Sequence, residues 1–470
     1  MSVVTVADDE AIARAPPAPS AMNARTKKLL TAPILPTLLS LAWPNVLVML
    51  AQASTGLIET WWVSHLGADA LAGMALVFPG YMMMGMLSAG AVGGGIASAV
   101  ARALGSGRRA DADALAVHAL VINLVVGLAT SALFLLFGRE IYAAMGGRGA
   151  SLEAALKYSN VVFAGNTLLW IMNAFASLIR GSGIMLFPSL VVCFGVVLLI
   201  PLSPIFIFGL GPMPALGVAG GGVAIVVTTA LMTLPLAWYV MSGQGLVKLK
   251  WARLRWALAS DILRVGAVGA LSTLQTTLTV ALTTGLVGAA AGPEGIAGYG
   301  AGSRLEYLLV PLVFGLGAPQ VAMVGANIGA GQRERALRIA LVGAAVSFAL
   351  TEAIGVAAAL WPAAWIGLFG DDKGMIATGA AYLLWVGPTY GFYGLGLSLY
   401  FASQGAGRLK WPLIGGLVRM LIAGGGGALA LKLTGSITSV FVMLAVALAV
   451  FGVLVAGAVG SGAWFRGERA

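Results

Sequence analysis

Charge is scarce in this chain. Only 9% of its 470 residues are Asp, Glu, Lys or Arg, against roughly a quarter in a soluble domain. Apolar residues make up 59%, and the mean hydropathy is +0.96. These values exclude an ordinary water-soluble globule. Cysteine occurs once, as Cys193 inside an apolar run, so no intrachain disulfide and no thiolate metal cluster can form. The two histidines, His65 and His118, lie in different regions. No His-Glu-x-x-His and no Gly-x-Ser-x-Gly motif is present, which removes the usual constellations of an intramembrane enzyme. The phosphate-binding Gly-x-x-x-x-Gly-Lys-Ser/Thr loop is missing too, so the chain is not an ATP-driven pump. Apolar and polar residues do not alternate with period two, so the apolar runs are not barrel strands.

What remains is a succession of apolar runs of about 20 residues, each long enough to cross a bilayer as a helix. The fold class that follows is an all-α polytopic membrane protein. Twelve transmembrane helices are expected at 36–63, 70–98, 114–137, 154–178, 187–209, 216–241, 261–289, 296–323, 337–361, 376–402, 411–431 and 437–459. Residues 1–35 read as a disordered cytoplasmic tail, residues 242–260 as a cytoplasmic linker, and residues 460–470 as a second cytoplasmic tail. Lysine and arginine outnumber the acids 27 to 17, giving a net charge of +10. Under this span assignment 19 of the basic residues fall on one side and 6 on the other. The richer side is cytoplasmic by the positive-inside rule, so both termini face the cytoplasm. The surplus positive charge then reflects topology, and no nucleic-acid partner is implied.

The chain repeats itself. "RALGSGRRADA" at 102–112 is similar to "ANIGAGQRERA" at 326–336, and "IRGSGIMLFP" at 179–188 to "SQGAGRLKWP" at 403–412. Gly105 pairs with Gly329, Gly107 with Gly331, Gly181 with Gly405, Gly183 with Gly407, Pro188 with Pro412 and Tyr158 with Tyr382, all at one constant offset in sequence. Six spans per half is an even number, so both halves run the same way through the membrane. Two six-helix bundles, 36–241 and 261–459, are expected about a pseudo-two-fold axis along the membrane normal, the plan of an alternating-access transporter. The "GSGRRA" turn matches a loose dinucleotide fingerprint, but no strand precedes it.

The first span carries an acid. Asn45, Gln52, Thr55 and Glu59 follow at intervals of 7, 3 and 4 residues, which places them on one helical face. Pro44 leaves the carbonyl of Ser40 without its helical donor, so the helix can bend there. A charge at mid-membrane costs about 2.5–3.5 kcal/mol on insertion scales, and leaving water favours the neutral acid. Such a group can load and release a proton as its surroundings open to either side. The competing reading hydrates Glu59 at the outer rim, since Trp61, Trp62 and His65 follow it. The seventh span mirrors the stripe without charge, in Ser272, Thr276, Thr279 and Thr283, with Thr283 at the constant offset from Glu59. Two further acids, Glu306 in the eighth span and Glu352 in the ninth, are candidates for substrate or proton binding. Arg304 or another basic group would partner Glu306. His118 reads as an interfacial or capping residue.

Several of these stretches resemble the multidrug and toxic compound extrusion family. They are "WPNVLVMLAQASTGLIETWWVSHLGADALAGMAL", "GGGIASAVARALGSGRRADADA", "LIRGSGIMLFPSLVVCFGVVLLIPLSPIFIFG" and "LGVAGGGVA", in the family's order, and together the resemblance covers about 36–460. The small-residue-rich second span leans toward the DinF-like branch. The resemblance implies a V-shaped pair of bundles that exports amphipathic, often cationic drugs in exchange for protons or sodium, without a cofactor. In the DinF-like branch an acid at a fixed spacing after a first-helix proline carries the proton, and Pro44 and Glu59 hold that spacing here. Where the family's fifth helix often carries Asn-x-x-x-Asp before proline, this chain has Leu199 and Ser203 before Pro204, and where an asparagine is expected on the fourth helix this chain has Ala176, with Asn173 one turn away. Another branch carries a seventh-helix glutamate; here Gln275 and Thr276 stand in that region.

The function expected is secondary active efflux, with H+ as the coupling ion and Na+ as the alternative, by a monomer in the bacterial inner membrane. Its partners are a small amphipathic substrate and membrane lipid. Glu59 and Pro44 are the coupling pair. Asn45, Gln52, Thr55, Asn173, Ser203, Gln275, Thr276, Thr279 and Glu306 are the cavity candidates. A flippase for a lipid-linked precursor is the alternative, disfavoured by the few basic residues within the spans.

Overall fold

The structure, a computed structural model, describes residues 23–209, 211 and 213–465. The expected tails at 1–22 and 466–470 lie outside the described residues. Helices account for nearly all of the rest, and no strand occurs among the described residues. In chain order they are α1 (Ala24–Thr31), α2 (Ile34–Ser64), α3 (Ala68–Gly85), α4 (Gly93–Gly105), α5 (Arg109–Ala144), α6 (Gly149–Ala164), α7 (Asn166–Gly181), α8 (Leu186–Phe208) and α9 (Val218–Met241). The second half holds α10 (Trp256–Gly329), α11 (Arg333–Leu360), α12 (Pro362–Ile366), α13 (Lys373–Val386), α14 (Tyr390–Ala406), α15 (Lys410–Met420), α16 (Gly427–Thr434) and α17 (Ile437–Gly460). A π-helical turn, Met86–Val92, joins α3 to α4, and another, Leu421–Gly426, joins α15 to α16.

Twelve membrane crossings follow from these rods. Among the described residues nine helices or joined helices are long and apolar enough to cross alone, and the pair α6 and α7, bent by 42°, makes a tenth. The 74 residues of α10 would span about 110 Å at 1.5 Å per residue, far more than a bilayer. The chain reverses at Gly292, whose φ of 62° and ψ of −157° only glycine adopts freely. Both ends of α10 then return to one place: Asp261 pairs with Arg102 at 2.7 Å, and Gly329 packs against the backbone of the same Arg102. The two arms of α10 are the seventh and eighth crossings. The pair α13 and α14, joined through a short 3-10 turn at Gly387–Thr389, completes the twelve.

The repeat is visible as matched backbone contacts. Gly105 lies on the backbone of Ala326, and Gly329 on that of Arg102. Gly181 lies on Ala97, and Gly405 on Val321. Gly93 faces Ser177, and Gly317 faces Phe401. The last two pairs of contacts are each one contact moved by the constant offset, and the first joins the two halves reciprocally. Gly325 meets Ala101, its own partner in the repeat, as only residues beside the pseudo-two-fold axis can. The register is not constant, however. Gly67 and Gly292 open equivalent helices with positive φ, and Gly73 packs on Ala154 and Ala155 as Gly298 packs on Thr378 and Gly379. These glycines are separated by one position more than the pairs further along. The first half therefore holds one residue more between Gly73 and Gly93 than the second half holds between Gly298 and Gly317, and the π turn Met86–Val92 lies in that stretch. Glu59 and Val63 nevertheless share their burial with Thr283 and Val287 at the constant offset, so the extra residue of the second half lies in the turn before Gly292.

One end of the molecule is sealed, the end that carries both described chain ends. There Ser98 donates to the carbonyls of Gln404 (2.5 Å) and Gly405 (3.2 Å), and Arg102 bonds Ser98, Gly405 and Asp261. Gln404 reaches back to the carbonyl of Gly90 at 3.0 Å. The expected disorder over 1–35 is corrected for residues 24–31. Asn23 caps α1 by accepting from the amide of Arg25, and Leu29 and Leu30 are buried in the core of the second half. The carbonyl of Leu29 accepts from Asn327, the side chain of Leu29 packs beside Gly183, and the carbonyl of Ala32 accepts from Arg335. Nearby, His118 accepts the amide of Arg255 and Asp113 the amide of Lys248, which fixes the linker to the start of α5.

Because Gly105 meets backbone and not a movable side chain, Gly105→Ala should wedge the sealed end apart. An overpacking cost of about 1–3 kcal/mol would shift the ratio of sealed to opened molecules at least about fivefold. Spin-label distances between positions 106 and 328 would report this, and an unchanged distance distribution would contradict the seam described here.

Candidate functional site

The first span belongs to both halves. Leu38 and Ala42, near the start of α2, are buried in the core of the second half, together with Leu305, Leu309 and Leu316. Val63, near its other end, is buried with Tyr158, Phe163 and Ile207 of the first half. Pro44 stands where α2 changes sides, next to Val46, which packs against Gly315. Asn45 is buried and donates to the carbonyl of Leu41 at 3.1 Å.

Glu59 lies beyond that changeover, within the first half. It is 2% exposed. Its Oε1 accepts a short hydrogen bond from Ser203 of α8, the serine between Pro201 and Pro204. Its Oε2 has no partner. It rests against Gly221 of α9, where a Cβ would stand 2.8 Å from the oxygen. Tyr81 of α3 and Tyr158 of α6 complete the surroundings within electrostatic reach of the carboxyl group. No basic side chain pairs with it; the ion pairs among the described residues lie elsewhere. A carboxylate held from water without a counter-charge is costly, and taking up a proton removes that cost. The pocket thus holds an acid with one oxygen fixed and the other free to carry hydrogen.

On the wheel of α2, Leu39, Trp43, Leu50, Leu57 and Trp61 form an exposed apolar arc. Asn45, Gln52, Thr55 and Glu59 lie on the opposite arc. Gln52 is exposed there, Thr55 is half-buried, and Asn45 and Glu59 are covered. The stripe is therefore divided, with only its middle reaching open space. The seventh crossing has the same two-sided character. Leu271, Leu274, Leu278 and Leu282 are exposed on one arc, while Thr276 and Thr277 are exposed on another. Thr279 and Thr283 are buried and donate to carbonyls four residues back at 2.8 and 2.9 Å. Gln275 is buried beside Gly416, 3.5 Å from the carbonyl of Leu413.

Two other candidates have local partners. Asn173 is buried and donates to Ser88 at 2.8 Å, away from Glu59. Glu352 accepts the amide of Gly391 at 2.7 Å. That amide is one of the unpaired N–H groups at the start of α14, so the carboxylate caps a helix there. Glu306 is half-buried and accepts from Tyr382 at 3.1 Å. Arg304, one possible partner, instead stacks over Phe369 at 5.0 Å. The basic group within electrostatic reach of Glu306 is Arg419. Arg419 stands in the last turn of α15 and is buried.

Composition and spacing alone did not single out Gly221, Tyr81 or Arg419. The triple glycine at 220–222 and the Tyr158–Tyr382 repeat pair were the available signals. In the stretch shifted by one, Glu306 occupies the place of Tyr81, and at the constant offset Tyr382 occupies that of Tyr158. Each half therefore sets one acid in the same corner of its bundle, carried by a different helix.

Glu59→Gln should remove a protonated-carboxyl stretching band from the infrared difference spectrum of the purified protein. Gly221→Ala should shift that band, since a methyl group displaces Oε2, while the melting temperature stays within about 4 °C of the parent. A band untouched by Gly221→Ala would contradict the packing described.

A family model, MatE, matches residues 44–205 and 270–424, one block in each half. The chain is 26% identical over 381 residues to a protein named FAD transporter from Shewanella oneidensis, covering 80% of this chain and 82% of the relative. It is 25% identical over 386 residues to a probable multidrug resistance protein NorM of Thermotoga maritima, covering 80% and 81%. Among solved structures, a MATE protein in a bent conformation superposes with a TM-score of 0.87 at 23% identity, covering 96% of this chain and all of that one. A MOP superfamily transporter from Pyrococcus furiosus superposes with a TM-score of 0.85 at 24% identity, covering 94% and 98%. The matched blocks span well over half of the chain, which therefore belongs to the MatE family of multi-pass membrane transporters and is not an enzyme.

Proposed function

We propose that this chain exports amphipathic small molecules in exchange for protons, by alternating access, with Glu59 as the proton carrier. The observation that carries the reading is the carboxyl group itself: buried in the first half, held on one oxygen by Ser203, unpartnered on the other and in no ion pair among the described residues. Such a group is stable when protonated and unstable when it is not. Gaining or losing the proton therefore changes the packing of α2 against α8 and α9. Pro44 lies between that packing and the sealed end, so a change of one half of α2 is passed to the other.

Sodium is the weaker alternative. A hard cation asks for a shell of about six oxygen ligands, and this pocket offers one carboxylate and a hydroxyl that already donates to it. The sealed end carries both described chain ends; by charge asymmetry that side is cytoplasmic, and the resting arrangement opens outward. The monomer, the inner membrane and the DinF-like branch belong to the same reading. The relatives' names, multidrug resistance protein and FAD transporter, leave the substrate class broad. A flippase reading gains support from no specific observation.

Reconstituted into proteoliposomes, the protein should move rhodamine 6G against an imposed proton gradient. Glu59→Gln should reduce that movement to background while expression stays intact. Ser203→Ala, which removes one donor worth about 1–3 kcal/mol to a buried group, should slow it by roughly tenfold without abolishing it. Full dye exchange by Glu59→Gln, or exchange driven by sodium and indifferent to pH, would overturn the reading.

A further inference from the structure

The first half holds its charge on Glu59. The second half holds a different one. Arg419 lies in the last turn of α15, within the eleventh crossing, and is 8% exposed. Its guanidinium rests over the rings of Tyr393 and Phe451, 5.5 Å from each centroid. It has five N–H donors. One of them meets Thr276 at a long 3.4 Å, and no carboxylate among the described residues is ion-paired with it. A guanidinium does not shed its charge by deprotonation, so a buried one requires an opposite charge or a full set of acceptors. Arg419 has neither. Glu306 is near enough to act on it electrostatically but is bonded to Tyr382.

The direction in which those donors open is fixed by Thr276. That residue is exposed, on the arc of α10 facing away from Leu271, Leu274, Leu278 and Leu282. The leucine arc suits lipid, and the hydroxyl arc suits a water-filled opening between the halves. The guanidinium thus stands behind the second half's wall with unsatisfied donors at its surface. Its place in the first half, by the same offset that pairs Pro188 with Pro412, is Gly195, so this charge has no counterpart under the pseudo-symmetry.

We propose that Arg419, oriented by Thr276 and by the rings of Tyr393 and Phe451, is a binding point for a carboxylate or phosphate group of the transported solute. The proposal rests on the transport reading above and narrows its substrate class: amphipathic molecules that carry an acidic group are taken as well as cations. Planar guanidinium forks recognise such groups through paired charge-assisted hydrogen bonds, which a neutral or cationic solute cannot form. Glu306 on the same wall can meet a basic group of the same molecule.

The test compares two xanthene dyes of opposite charge, fluorescein and rhodamine 6G, by fluorescence polarisation on the purified full chain in neutral detergent. The wild-type chain should bind both. Arg419→Gln should weaken fluorescein at least about tenfold and leave rhodamine 6G within about twofold. Arg419→Lys should recover part of the fluorescein binding, because it keeps the charge and loses the fork. Should Arg419→Gln melt early, Thr276→Val, which frees the guanidinium from its orienting hydroxyl, should still weaken fluorescein selectively. Equal loss of both dyes would make Arg419 a packing residue and overturn the proposal, as would unchanged fluorescein binding. Nanodiscs of phosphatidylcholine with and without phosphatidylglycerol separate a solute from a lipid headgroup: fluorescein should bind equally in both, and its displacement by the anionic lipid would assign the site to lipid instead. A wild-type chain that binds rhodamine 6G alone would overturn this inference and spare the transport reading. Binding of neither dye would overturn both.

Discussion

Backbone meeting backbone at one end of the molecule is the constraint on which the rest depends. Gly105 on Ala326 and Gly329 on Arg102 bring helices from the two halves closer than any side chain would allow. At that distance the seam tolerates no intermediate spacing. It is joined or it is apart, and a joined seam at one end leaves the far halves of the rods to diverge. In lipid, where no hydrophobic force draws apolar helices together, such close approach of small residues supplies much of the association. The hydrogen bonds of Ser98, Arg102 and Gln404 then fix its register.

The acid of the first half is connected to this seam through one helix. The early turns of α2 are packed into the second half and its late turns into the first. A helix shared in this way cannot remain indifferent when the halves part. Pro44 sits at the crossing point, where a missing amide makes the rod easiest to bend. The chemistry at Glu59 and the geometry at the seam are separated by many residues yet belong to one rigid element with one weak place.

Much of this was legible before any coordinates. The scarcity of charge set the class, the lengths of the apolar runs set the crossings, and matched Gly-x-Gly turns gave the duplication. Glu59 was found because an acid in an apolar span is costly, and Ser203 because family spacing pointed to its position. What stayed hidden was tertiary. Gly221 matters only because another helix brings a carboxyl oxygen against it, and no local pattern records that. Arg419 is covered by Tyr393 and Phe451, which lie on other helices, and no local pattern records that either. Glu352 looked functional as an intramembrane acid, and its partner turned out to be the open start of a helix interrupted at Pro388. The local shift of register between Gly67 and Gly93 stayed hidden as well, because a constant spacing before and after it cannot reveal a change of count inside a helix.

That change of count shows how a duplicated membrane protein can alter its length without losing its partnership. One residue more or fewer in a regular helix would rotate everything after it by about 100°. Gly93 and Gly105 would swing off the axis, and bulkier neighbours would take their places. A single widened turn absorbs the rotation where it arises, so the downstream face is delivered unturned. Copies of one ancestral bundle can therefore drift in residue count inside the bilayer while the face they share stays in phase.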